Sequence, residues 1–188
     1  MVINLINYPS GVIKKSTTKV ISFSNRGMSL EDDLNTTNTY YRDKNIAIVY
    51  KKPTPIQVVS KNGNEITKAF FKEPSTTDYN GIYKGKYIDF EAKETTSKTS
   101  FPLSNIHKHQ VEHLKRVLEQ DGICFLIVRF TTLNKTFILF CEDFFQYINN
   151  NDRKSIPICY FEEKGYLIKE KLAPRVDYID IVNKYGGI

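Results

Sequence analysis

Apolar residues along the chain recur with two different periods, and the changes between them mark the elements. Leu30, Leu34 and Tyr41 fall at helical spacing behind Ser29, with Asp32 three residues further on as a capping-box signal, so a helix is predicted over 29–44. Residues 45–50 (NIAIVY) read as a short buried strand. Residues 51–72 (KKPTPIQVVSKNGNEITKAFFK) carry two prolines near their start and Asn62-Gly63 between two apolar stretches, which predicts an exposed or projecting β-hairpin. Two strands, 79–84 and 86–93, follow around Lys84-Gly85. Pro102 and Ser104 introduce a helix over 105–120 closed by Gly122. Apolar strands at 123–130 and 135–141 lead to a helix at 142–150. The tail, 153–188, is irregular except for a strand at 166–169 and a short helix near 178–185. Helices alternating with strands in this way predict a mixed α/β fold.

The 188 residues fit one domain with a hairpin insertion at about 51–72, and 40% hydrophobic content with twelve Tyr, twelve Phe and no Trp is globular composition. Residues 1–24 have no period and carry Lys14, Lys15 and Lys19 among Pro, Gly, Ser and Thr, which suggests a basic flexible arm ahead of a domain at 25–188. The net charge of +6 favours phosphate-bearing partners and salt-sensitive binding. Cys124 and Cys141 lie in apolar runs and read as buried hydrophobes of a reducing compartment. No stretch approaches the ~18 apolar residues of a membrane span. The N-terminus lacks the order of a secretory signal, so a cytoplasmic protein without membrane partners is expected.

The chemistry concentrates in one run, TTDYNGIYKGKYIDFEAK, from Thr76 to Lys93. Strand side chains alternate faces. Ile88, Phe90 and Ala92 therefore form an apolar face that packs on a helix, and Tyr87, Asp89, Glu91 and Lys93 share the other. Carboxylates hold Mg²⁺, which prefers oxygen ligands and retains several waters. Such a cation lowers the pKa of a bound water and neutralises charge developing on a phosphodiester. A lysine two residues past the glutamate points the same way and can steady the attacking water or the phosphate. A second acid must come from elsewhere. Asp78 opens the strand that pairs with 86–93, whereas Asp89 shares the face of Glu91, and periodicity does not choose between them. The opposing interpretation is an inert, solvated strand with alternating charges.

In the helix over 105–120, Ile106, Val111, Leu114, Val117 and Leu118 form the apolar stripe, and Gln110 sits at its edge, where it needs a hydrogen-bond partner. That partner is either structural or the metal site. His107, His109 and His113 lack a Cys or acid partner at zinc spacing and read as surface or DNA-facing residues.

The runs NRGMSLEDDLN (25–35), KKPTPIQVV (51–59), STTDYNGIYKGKYIDFEAKET (75–95), TSFPLSNIHKHQVEHL (99–114), DGICFLIV (121–128) and PRVDYI (174–179) resemble the RecU family of Holliday junction resolvases of low-GC Gram-positive bacteria. The resemblance implies a restriction-endonuclease-like core with a projecting β-hairpin stalk, a homodimer, and Mg²⁺-dependent symmetric nicking of four-way junction DNA in recombination and repair, with Mn²⁺ as a substitute ion. It implies metal binding by Thr76, Asp78, Glu91 and Gln110 and transition-state stabilisation by Lys93. Asp78 is thereby preferred over Asp89, which becomes a supporting residue. Arg26 in the arm, with Lys51, Lys52, Lys61 and Lys68 in a short stalk of scattered lysines, would contact DNA. The family is also reported to modulate the recombinase RecA. Two other functions fit the same residues: a sequence-specific restriction-type endonuclease, and a non-catalytic DNA-binding accessory protein of recombination.

Overall fold

The computed structural model describes residues 29–72 and 76–187; the expected arm over 1–24 and Arg26 lie outside the described residues. In chain order the elements are α1 (Leu30–Asp43), β1 (Ile48–Lys51), β2 (Ile56–Asn62), β3 (Glu65–Phe71), β4 (Tyr79–Tyr83), β5 (Lys86–Thr95), β6 (Ser100–Pro102), α2 (Lys108–Glu119), β7 (Ile123–Phe130), β8 (Lys135–Phe140), α3 (Cys141–Asn150), β9 (Ser155–Pro157), α4 (Ile158–Glu163), β10 (Tyr166–Ile168) and α5 (Tyr178–Tyr185). The main sheet has the order β1-β4-β5-β7-β8-β10. Its β5–β7 pair is parallel and its other pairs are antiparallel. This is the mixed α/β architecture that the sequence predicts.

Both faces of the sheet are covered, and β7 shows it residue by residue. Ile123, Phe125 and Ile127 join the core formed with Leu30, Leu34 and Tyr41 of α1 and Tyr178, Ile179 and Val182 of α5. Cys124, Leu126, Val128 and Phe130 join the opposite core with Leu114 and Val117 of α2, Phe144 of α3 and Phe161 of α4. A strand buried on both sides has no polar alternation, which explains the uninterrupted run ICFLIV. On β5, Ile88 and Phe90 belong to the α1 side. Phe90 stacks between Tyr79 and Phe125, with ring centres 4.9 and 4.8 Å away. Helix α1 begins at its predicted cap: the Ser29 hydroxyl accepts from the Asp32 amide at 3.2 Å.

Three expectations need correction. The strand predicted over 45–50 starts at Ile48 and is an edge strand, paired only with β4, so Val49 alone is buried while Ile48 and Tyr50 are exposed. The hairpin turn sits one residue later than Asn62-Gly63: Asn62 pairs with Glu65, and Gly63, at φ +59°, opens the turn with Asn64. The tail is more regular than expected, because β9 pairs with β6 and α4 follows it directly; three-residue strands are too short to display a period. The β2–β3 hairpin forms its own two-stranded sheet, and all its strand residues are exposed. Among the described residues, no helix is long and apolar enough to cross a membrane.

Gly81 faces Val49 across the β1–β4 ladder, and a Cβ there would lie 2.1 Å from the Ile48 carbonyl oxygen. Gly81→Ala should therefore push β1 off the sheet and cost roughly 1–3 kcal/mol, as overpacking does. Urea unfolding would show this as a lower midpoint.

Candidate active site

The two acids of the polar face of β5 turn toward α2, while Tyr87 at the start of that face is exposed. Asp89 and Glu91 are both 0% exposed, so the solvated-strand interpretation is excluded. Each acid meets one side chain of the helix. Gln110 Nε2 donates to Glu91 Oε1 at 2.6 Å, and His113 Nε2 lies 3.0 Å from Asp89 Oδ2. Gln110 and His113 are three residues apart and share a helix face, as Asp89 and Glu91 share a strand face.

The second acid arrives from the start of β4. Asp78 donates its backbone N–H to Glu91 Oε2 at 3.2 Å, and its carboxylate accepts from the Ala92 amide at 3.1 Å. Lys93 forms an ion pair with Glu91 and lies 3.9 Å from Asp78 Oδ2. Asp78, Glu91 and Lys93 thus converge. Burial first, and the facing Asp78 charge second, push the Glu91 carboxyl up to about 7, against an ordinary value of 4.5. Two acids held together against their repulsion suit a hard cation, and the oxygen donors of Asp78 and Glu91 fit one.

Asp89 is differently placed. Its Oδ2 receives Lys52 Nζ at 2.7 Å and the Tyr87 hydroxyl at 2.7 Å, and its Oδ1 accepts from Thr77 Oγ1. Burial pushes the Tyr87 hydroxyl up to about 12, so it stays a donor. Both oxygens of Asp89 are thus bound within this network, whereas Asp78 is the acid that meets Glu91 and Lys93.

The remaining predicted residues are distributed as follows. Thr76 is exposed at the margin, where its hydroxyl accepts from Lys52 Nζ at 3.0 Å. Gln110 uses Oε1 to accept the His107 amide at the head of α2, at 2.8 Å, so it presents its amide nitrogen to Glu91. Lys61 and Lys68 are exposed on the hairpin, and Lys51 pairs with Glu31. Lys52 turns inward, with a side chain 14% exposed. Thr77, His113 and Lys52 were not predicted in the site. Helical spacing from Gln110 was a usable signal for His113, which is partly exposed but turned onto Asp89; nothing in the pattern marked Thr77 or Lys52 as part of the acidic site.

A sequence profile of the family described as Recombination protein U matches residues 25–184. The chain belongs to the RecU family. Among similar proteins, the Holliday junction resolvase RecU of Oceanobacillus iheyensis is 48% identical over 95% of this chain and 98% of its own length. Its namesake in Pediococcus pentosaceus is 47% identical over 95% and 96%. That of Geobacillus sp. strain WCH70 is 51% identical over 87% and 85%. RecU membership therefore rests on nearly the whole chain.

Raising the Glu91 pKa above its unfolded value means that the folded state binds the proton more tightly. Stability from this group is therefore present below about 4.5 and is lost as pH rises toward 7. Metal-free wild-type protein should lose thermal stability relative to Glu91→Gln across that window, as read by melting curves in chelator.

Proposed function

We propose that the chain is a Mg²⁺-dependent endonuclease that resolves Holliday junctions by symmetric nicking as a homodimer, in recombination and DNA repair in the cytoplasm. The observation that carries this reading is the convergence of Asp78, buried Glu91 and Lys93, in a chain about half identical over nearly its whole length to proteins named Holliday junction resolvase RecU.

Mg²⁺ (or Mn²⁺) bound at Asp78 and Glu91 would supply Lewis acidity and an ionised water for phosphodiester hydrolysis. Gln110 holds Glu91 in place from α2 and fixes its own amide by capping that helix. Ligation through Gln110 Oε1 would require the amide to turn over and release the His107 N–H. Thr76 stands two residues before Asp78, and its hydroxyl would have to leave Lys52 to join the ion. The Lys93 ammonium, placed between the two acids, balances their charge and faces the phosphate that the site would receive. Lys61 and Lys68 on the hairpin, together with Arg26, would bind phosphates without reading bases, so junction shape provides the selectivity. Two copies related by a twofold axis would place two such sites on opposed strands. Modulation of the recombinase RecA would be a second, binding role of the same chain.

Glu91→Ala should bind a synthetic four-way junction and fail to cut it in Mg²⁺, and Lys93→Ala should lose roughly 10²–10³-fold in cleavage rate. Gel-resolved cleavage of junction and linear duplex side by side checks both. Cutting of the duplex at a defined sequence in preference to the junction would favour a restriction-type enzyme. Undiminished cutting by Glu91→Ala would sink the assignment of the site.

A further inference from the structure

The chain leaves the sheet for the hairpin at Lys52, and this lysine ties the point of departure to the segment that leads into β4. The outgoing foot begins at Lys52 and continues through Pro53-Thr54-Pro55. The chain is back at the sheet at Thr76, Thr77 and Asp78. The Lys52 backbone N–H donates to the Asp78 carbonyl at 2.8 Å, and the Lys72 N–H to the Pro55 carbonyl at 3.0 Å. The Lys52 ammonium has three hydrogens. They meet Thr76 Oγ1 at 3.0 Å, Thr77 Oγ1 at 2.6 Å and Asp89 Oδ2 at 2.7 Å. His113 Nε2 is 3.4 Å away. A DNA phosphate could reach this ammonium only by displacing a partner.

The Thr76–Asp78 segment carries both the Asp78 carboxylate and the amide that holds Glu91 Oε2. Asp89, the other end of the Lys52 ion pair, lies on β5 two residues before Glu91. Lys52 therefore clamps, in one contact set, the segment bearing one acid onto the strand bearing the other. Proline fixes its own φ and holds the residue before it extended, so Pro53 and Pro55 make the outgoing foot stiff.

We propose that Lys52, anchored on Asp89, is a positioning residue for cleavage: it sets the mutual placement of Asp78 and Glu91 from the base of the hairpin, and it is not a phosphate contact. The inference rests on the nuclease reading of the same site. An error of about 1 Å in such a site costs on the order of a hundredfold in rate.

The test is single-turnover cleavage of a synthetic four-way junction across a Mg²⁺ titration, with junction affinity measured separately in chelator. Lys52→Met should keep the junction Kd within about twofold, lose about 30-fold or more in rate at saturating junction, and need more Mg²⁺ for half-maximal rate. Lys52→Arg, which keeps the charge and donors, should recover part of the rate. Asp89→Asn should show a similar loss, and the double variant should be no worse than either single one, because both remove the same clamp. A weaker Kd with an unchanged saturating rate would make Lys52 a phosphate contact and overturn the proposal. So would a lower melting temperature with unchanged rate and Mg²⁺ midpoint, which is what a purely structural pair would give. If Lys52→Met does not fold, Thr77→Val removes the hydroxyl between Lys52 and Asp89 at little change in shape, and wild-type rate and Mg²⁺ midpoint in that variant overturn the proposal equally. Cleavage by the wild type is the control: its absence overturns the nuclease reading and this inference with it, whereas its presence beside an unaffected Lys52→Met overturns this inference alone.

Discussion

A carboxylate withdrawn from water needs hydrogen bonds or a cation, or it gives up its charge. Asp89 and Glu91 impose this requirement on everything around β5, since both are fully buried between the sheet and α2. The two acids meet it in different ways. Asp89 is surrounded by Lys52, Thr77, Tyr87 and His113 in a closed network. Glu91 accepts from Gln110 and the Asp78 amide and pairs with Lys93, yet burial first and the facing Asp78 second raise its pKa. One strand face thus carries two buried acids, two residues apart, each with its own set of partners.

The chain path around β5 follows from serving both. Parallel pairing of β5 with β7 requires a crossover, and α2 lies in it, running back along the sheet. A helix that runs back pairs its residues with the strand in reverse order, so Gln110 meets Glu91 and His113 meets Asp89. Three helical residues advance about 4.5 Å and two strand residues about 6.6 Å, a mismatch that long side chains such as Gln and His absorb. The head of α2 is fixed by the same glutamine that contacts Glu91, so the start of the helix and the placement of the carboxylate are not independent.

Much of this was legible in the sequence because it was local. Strand alternation placed Glu91 and Lys93 on one face, and the apolar stripe of α2 put Gln110 at its border. The turn at Lys84-Gly85 paired β4 with β5 and brought Asp78 across. The different surroundings of Asp78 and Asp89 were not legible in the periodicity, because both neighbour Glu91 and only the folded chain brings Lys93 to one and Lys52 and His113 to the other. Lys52 was read with the other hairpin lysines for a physical reason: a lysine between a strand and a proline shows nothing in sequence of where its ammonium ends. Its destination depends on a partner 37 residues away, fixed only when β5 lies beneath the hairpin feet. The three-residue strands β6 and β9 escaped because each exists only through the other.

The β2–β3 hairpin adds no residue to either apolar core. Its fourteen strand positions are therefore released from the packing constraints that hold the rest of the chain. Over evolutionary time such a segment drifts unless something outside the fold restrains it. The pattern of change along it among relatives is then a record of what the hairpin touches, written separately from the record of what keeps the protein folded.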